Sequence, residues 1–375
     1  MSCSRALQGR RREIRHEGIT RMRTERIILS LAAFLFLATA VLAGTGQDNE
    51  QNRIKSFAAP RAFISEEEAV SLEAALRKNP DDMEAREKLL MKYGLDRFRS
   101  PGSKKLFARH VFWVIRNRPD SRLAETQCIL IPAVDGPYYE KGRKLWLKQV
   151  RKHSGNPVVI GNAARFIGFN DTGKSAELLL KCRELDRENP KWPYELGMLC
   201  SRERQSEDHD AQKAKAAAAK AVVYLEEAYG MIANDDLKFS SLNNLAKLAF
   251  EAGDIAKARK YGLELLDRAS ENQDHWSYGN AVFDGNLVLG RAALAEGKTG
   301  EAKEFLMKSA EIAGSPQLNT FGPNLTLAKD LLEKGEKDAV LKFFRRCSMF
   351  WKGAEPFVKA IENGEPPKWG ANLYY

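Results

Sequence analysis

Histidine and cysteine are scarce in this sequence, with five of each among 375 residues. No histidine belongs to the HExxH pattern of the zinc hydrolases, in which two metal-binding histidines lie four residues apart on a helix. No local signature of a cysteine nucleophile surrounds any cysteine. Runs of alternating β-branched residues are also few, which argues against a β-sheet protein. We therefore predict no catalytic residue, no metal site and no cofactor.

The composition nevertheless supports a folded chain. Apolar residues make up 43% of the sequence, which is enough for a substantial core and excludes global disorder. The length excludes a small scaffold held by disulfides and permits either several domains or one elongated array of repeats. The formal net charge is +10. What this charge means depends on where along the chain it lies.

The first 43 residues have the pattern of an export signal. Residues 1–26 contain eight arginines and three acids, and residues 27–43 are apolar or small. Val41 and Ala43 are small residues at the two positions that a signal peptidase reads. We predict cleavage after Ala43, followed by a polar linker over residues 44–62. This places the mature chain outside the cytoplasm, as a periplasmic or secreted protein.

Two alternatives for this segment remain open. Translation beginning at Met22 would leave a conventional signal peptide without the long basic leader. Residues 27–46 also just reach the roughly 20 residues that a transmembrane helix needs. An uncleaved segment would then anchor the protein in the inner membrane.

Export bears on the four cysteines that follow the signal. Disulfides persist in oxidising compartments, and Cys128, Cys182, Cys200 and Cys347 are even in number. Cys182 and Cys200 are the favoured disulfide pair, because they fall on consecutive predicted helices around the turn at Pro190. The alternative is that the cysteines are buried free thiols.

Residues 63–353 consist almost entirely of amphipathic helical patterns separated by short turns. Turns with proline occur at Pro80, Pro119, Pro157 and Pro190, at intervals of 33 to 39 residues. A second series has glycine at positions 253, 297 and 335, where a left-handed residue can close a helix. Two helices in each interval of this length are typical of an α-solenoid. The predicted class is all-α.

Several residues resemble the tetratricopeptide repeats. They are Trp192 after the turn at Pro190, the pairs Leu196-Gly197 and Leu289-Gly290, and the small residues Ala258 and Ala302 beyond the turn glycines. The resemblance is to exported bacterial proteins of this family. It implies a right-handed α-solenoid of irregular helix pairs that binds a protein or peptide without catalysis. Residues 354–375 are expected to cap the last repeat or to trail free.

One stretch matches the phosphate-binding loop pattern. Residues 168–175 read GFNDTGKS, with Lys174 and Ser175 at the positions that would hold phosphate and magnesium. A true phosphate loop follows a β-strand, whereas residues 156–169 favour a helix. Nucleotide hydrolysis at this loop is therefore a minor alternative, and a turn between two helices is the favoured interpretation.

Basic residues are concentrated between positions 97 and 170. This region holds fifteen lysines and arginines against four acids, so it carries eleven excess positive charges and the mature chain elsewhere is slightly acidic. A whole-chain nucleic-acid partner is accordingly not favoured. The alternative function is an envelope module that binds an anionic polymer or a membrane surface. The candidate face comprises Lys104, Lys105, Arg109, Lys144, Lys148 and Arg151. Oligomeric state and partner identity stay open.

Overall fold

The computed structural model describes residues 64–203, 210–233 and 235–373. The predicted signal peptide, the alternative start at Met22 and the linker through residue 62 lie outside the described residues. The part of the chain that is described is α-helical and contains no β-strand. The helices are α1 (Glu66–Lys78), α2 (Met83–Asp96), α3 (Pro101–Asn117), α4 (Pro137–Lys152), α5 (Pro157–Ile167), α6 (Thr172–Leu185), α7 (Lys191–Glu203), α8 (Ala211–Met231), α9 (Asp235–Glu251), α10 (Ile255–Glu271), α11 (Tyr278–Ala295), α12 (Thr299–Ser309), α13 (Pro316–Phe321), α14 (Thr326–Glu333), α15 (Lys337–Cys347) and α16 (Glu355–Glu362).

The helices pack in sequential pairs. Extensive packing joins α5 with α6, α7 with α8, α9 with α10, and α11 with α12, and each second helix also packs on the first helix of the next pair. The first helices α9 and α11 contact each other as well. This arrangement confirms the predicted all-α repeat architecture.

Glycine closes the first helix of a pair at three turns. Gly253, Gly297 and Gly335 have φ values of 79°, 79° and 87°. This left-handed conformation is strained for residues that have a Cβ atom, whereas glycine adopts it without strain. The predicted role of these three glycines is confirmed.

Small residues let the paired helices approach closely. Ala258 and Ala302 are completely buried. A Cβ atom placed on Gly197 of α7 would lie 2.6 Å from Cγ of Leu225 on α8, and one on Gly290 would lie 2.4 Å from Cδ2 of Leu327. Both distances are far below van der Waals contact, so these motif glycines set the spacing between helices.

Proline begins some helices and interrupts the repeat elsewhere. Pro157 is the first residue of α5, and the side chain of Asn156 caps that helix by accepting from the backbone N–H groups of Val158 and Val159. After Pro119 the chain instead makes three short 3₁₀ turns before α4 begins. The repeat is thus irregular between α3 and α4.

The C-terminal segment packs on the last helix pair. The Trp369 ring lies 6.2 Å from the ring of Phe344 on α15 and 5.8 Å from that of Phe357 on α16, measured between centroids. The backbone oxygen of Asn372 accepts a hydrogen bond from the Leu325 N–H group at 2.9 Å. Residues 354–373 therefore cover apolar side chains at the end of the repeats.

The predicted disulfide between Cys182 and Cys200 is absent from the structure, and this prediction is corrected here. Cys182 is a buried thiol whose Sγ atom lies 3.3 Å from the carbonyl oxygen of Pro157. It lies three residues before the end of α6, whereas Cys200 lies nine residues after the start of α7. In antiparallel neighbours this offset of six residues is about 9 Å along the axis, which exceeds the roughly 7 Å between Cα atoms that a disulfide can bridge.

Candidate functional site

The predicted basic face divides into paired and unpaired residues. On α3, Lys104 forms an ion pair with Asp135 at 2.8 Å, and Arg109 forms one with Glu73 of α1. Lys105 is exposed. Two of the four cations on α3 are therefore paired with acids within the fold, which sequence position alone could not show.

The predicted residues on α4 lie together. Lys144, Lys148 and Arg151 are exposed and recur at helical spacing on one side of the helix. Lys141 and Lys152 are also exposed on α4. Within the described residues, none of these five side chains has a carboxylate partner at ion-pair distance. We call these five residues the α4 row.

The two basic helices meet at one aromatic ring. Arg116 of α3 and Lys141 of α4 lie 6.0 Å and 5.1 Å from the ring centroid of Phe112. Gln149 of α4 donates hydrogen bonds to the backbone oxygens of Ile115 and Arg116 at 2.8 Å and 3.0 Å. These contacts hold the buried side of α4 against α3, so that the α4 row faces outward.

The phosphate-loop match occupies a turn between two helices. Residues 157–167 form α5 rather than a strand, and Asp171 caps α6 by accepting from the Lys174 N–H group at 2.9 Å. Lys174 pairs with Glu177 at 2.6 Å, and the Ser175 hydroxyl donates to the backbone oxygen of Ala164 at 2.9 Å. The Lys174 side chain thus makes an ion pair within α6, and the Ser175 side chain joins α6 to α5. The nucleotide-binding alternative lacks the strand that it requires.

Substitutions of Ser175 and Lys174 distinguish a turn between two helices from a nucleotide-binding loop. Ser175→Ala should lower the free energy of unfolding by about 1 kcal/mol, because it removes a buried hydrogen bond. Lys174→Ala should change it by less than about 0.5 kcal/mol, because its ion pair is solvent-exposed. Thermal unfolding followed by circular dichroism measures both. Stabilisation of the native chain by Mg·ATP, lost in Lys174→Ala, would contradict this assignment.

A second group of polar side chains connects the first helices of successive pairs. Arg165 of α5 forms an ion pair with Glu195 of α7 at 2.8 Å, and both side chains are largely buried. The hydroxyl of Tyr194, on the same helix α7, accepts a hydrogen bond from Asn244 of α9 at 3.4 Å. Contacts between side chains therefore run from α5 through α7 to α9.

The connection continues to α11. The Asp284 carboxylate accepts from Asn243 at 2.8 Å and pairs with Lys247 at 2.7 Å, both from α9. The Oδ1 atom of Asn243 is buried and has no hydrogen-bond partner in the described part of the protein. We call these side chains the polar row, and they are Arg165, Tyr194, Glu195, Asn243, Asn244, Lys247 and Asp284.

Burial and charge have opposing effects on the acid in this row. Burial by itself raises the pKa of Glu195, but the Arg165 guanidinium, together with Lys191 and Arg202, holds the pKa below its usual value. Burial also raises the pKa of the Tyr194 hydroxyl. Glu195 is therefore ionised and Tyr194 protonated at neutral pH. The Glu195 carboxylate can then only accept hydrogen bonds, whereas the Tyr194 hydroxyl can donate or accept.

The polar row was missed at the sequence level. Arg165 and Glu195 are thirty residues apart, and Asn243 and Asp284 are forty-one apart. One local signal was available, because Asn243 and Asn244 lie between the apolar residues Leu242 and Leu245 of α9. Without the register between helices, that signal does not identify partners.

Across the described residues, no group of three or more histidine, cysteine or acidic side chains is placed to hold a metal ion. No described helix combines the length and the apolar content that crossing a membrane requires.

The fold and the polar row define the class of this protein. It is an α-helical repeat protein whose helix pairs resemble tetratricopeptide repeats. No family model matches the chain, and no curated protein sequence does so.

Several solved structures are similar to the chain. The human IFIT1 dimer with PPP-AAAA has a TM-score of 0.47 and 18% identity, over 79% of this chain and 66% of that chain. A monomeric IFIT1 mutant with Gppp-AAAA has a TM-score of 0.48 and 18% identity, over 79% and 65%. Yeast Tom70 has a TM-score of 0.38 and 17% identity, over 79% and 58%. The match thus spans less than two thirds of each of these proteins.

Proposed function

We propose that this chain is a non-catalytic scaffold that binds a polypeptide partner along the polar row. The observation that carries the proposal is the series of polar side-chain contacts that joins α5 to α7, α7 to α9 and α9 to α11. Buried polar and charged groups cost free energy relative to well-packed apolar residues. A repeat protein that needed only to hold its helices together could use apolar contacts there, as it does at Gly197 and Gly290.

The chemistry of the row suits a polypeptide ligand. It offers amides, a hydroxyl and charges of both signs. Backbone N–H and C=O groups of a bound segment are donors and acceptors that such side chains can satisfy. Repeat arrays present long surfaces of variable side chains, which fits recognition of an extended partner.

Site-specific photo-crosslinking tests this proposal. A benzophenone amino acid at position 244 should crosslink to a host protein, whereas the same residue at position 263 should not. Leu263 is 57% exposed and lies on α10, a second helix, so it provides a matched control outside the row. Adding Lys247→Ala should reduce the crosslinks at position 244.

The outcome can also refute the proposal. Equal crosslinking at positions 244 and 263, or crosslinking only at position 263, would place the partner outside the polar row. Circular dichroism of each variant establishes that the labelled chains are folded.

We further propose that the scaffold acts outside the cytoplasm after removal of residues 1–43. The support is the basic leader, the apolar segment and the small residues at positions 41 and 43. Mass spectrometry of the protein from fractionated host cells should find an N-terminus at Gly44. Membrane-bound protein retaining residues 27–46 would favour the anchor, and a full-length cytosolic product would refute export.

A further inference from the structure

The α4 row gathers on one helix five exposed cations of the basic region. Several other cations of this region are held by acids instead. Arg118 pairs with Asp81, Arg143 with Asp171 and Arg165 with Glu195. Lys104 and Arg109 are likewise paired with acids. The five members of the α4 row have no such partner in the described residues, and they are all exposed on one helix.

The buried side of α4 fixes the direction of this row. Tyr139, Gly142 and Trp146 are buried, with the Tyr139 and Trp146 rings against Phe166 of α5 at centroid distances of 5.8 Å and 6.5 Å. A Cβ atom on Gly142 would lie 2.5 Å from that same ring. The helix cannot rotate without breaking this packing, so its cations stay turned to solvent.

From this geometry we infer that the α4 row binds an acidic segment of a polypeptide partner. The inference rests on the proposed function, because it assumes a polypeptide partner. It adds that this partner carries an acidic segment, which binds at a surface separate from the polar row. Lys141, Lys144, Lys148 and Arg151 follow one another at three or four residues, or about 5 Å along the axis. Alternate side chains of an extended peptide point to one side at about 6.6 Å, so a short acidic segment can place carboxylates along the row.

A membrane surface fits this row less well. No large apolar side chain of α4 is among the exposed ones of the described protein. Leu145, Leu147 and Val150 are half-buried against the core. Helices that lie in the bilayer interface insert exposed apolar side chains below the headgroups, and α4 has none to insert.

Fluorescence anisotropy with a labelled oligoglutamate peptide tests the inference on the full chain at low salt. The variant Lys144→Glu/Lys148→Glu should bind the peptide about tenfold more weakly, because attraction becomes repulsion at the centre of the row. The control is Lys220→Glu/Lys342→Glu, which makes the same change in net charge at exposed positions on α8 and α15. This control should bind within about twofold of the native chain.

Several results would overturn the inference. One is equal weakening in both double variants, which would indicate a general charge effect. A second is that the chain does not bind oligoglutamate but binds anionic phospholipid vesicles through the α4 row. A third is the same result with polyphosphate in place of the vesicles. Crosslinking at position 244 is measured in parallel. Oligoglutamate binding that fails while those crosslinks persist refutes the α4 inference and leaves the scaffold proposal intact.

Discussion

Arg165→Met should lower the free energy of unfolding by about 3–5 kcal/mol, one of the two largest effects expected in this protein. The substitution leaves Glu195 charged, largely buried and without its partner on α5. It also removes the hydrogen bond that Arg165 donates to the backbone oxygen of Glu125 at 2.8 Å. Urea denaturation followed by circular dichroism measures the change.

The control for this prediction is the same substitution at a more exposed ion pair. Arg143 pairs with Asp171 at 3.2 Å, with 31% and 37% of the two side chains exposed. Arg143→Met should cost less than about 1 kcal/mol. The double variant Arg165→Met/Glu195→Met should recover much of the loss, because it removes the unpaired charge. Equal costs at positions 165 and 143 would contradict the prediction.

Acid should destabilise the N-terminal helices through a buried histidine on α3. His110 is 3% exposed. Arg86 can only donate, so Nδ1 of His110 accepts from it at 3.1 Å, and Nε2–H donates to Glu73 at 3.0 Å. The Tyr93 ring stacks on the imidazole at 5.9 Å. This arrangement fits the neutral imidazole.

The pH dependence follows from the direction of the pKa shift. Burial lowers the pKa of His110 below 6.5, although Glu73 opposes the shift and Arg109 and Arg86 reinforce it. Below about pH 6.5 the unfolded chain therefore binds a proton that the folded chain does not. The free energy of unfolding should fall by up to about 1.4 kcal/mol for each pH unit, until the folded histidine is itself protonated.

His110→Gln provides the test, because glutamine can accept from Arg86 and donate to Glu73 but does not titrate. Urea denaturation of both proteins between pH 7 and pH 5 should show a fall for the native chain that the variant lacks. Glu73, whose pKa lies below 4.5, stays ionised in this range. Parallel pH profiles for the two proteins would refute a role for His110.

The repeat architecture was predictable because its signals are local. Gly253, Gly297 and Gly335 end helices through their own backbone conformation, and Pro157 begins one. Ala258 and Gly197 allow close packing whatever lies opposite them. Each of these residues acts mainly through its own steric properties, so the pattern is present in the sequence before any contact is known.

The charged groups were not predictable in the same way. Lys104 and Lys144 are equivalent lysines in one basic region, yet Asp135 neutralises the first and no described carboxylate neutralises the second. The Cys182–Cys200 disulfide was wrongly predicted for a related reason, since adjacency of two helices does not set the level at which their residues meet.

The sequence by itself thus determined an all-α chain of helix pairs, the positions of its turns and the concentration of basic residues between positions 97 and 170. Only the tertiary structure decided which cations are left without acids and which polar side chains join the polar row. The physical reason is range. Helix caps and turns depend on residues within a few positions of each other, whereas an ion pair such as Arg165 with Glu195 depends on the register between helices that packing alone establishes.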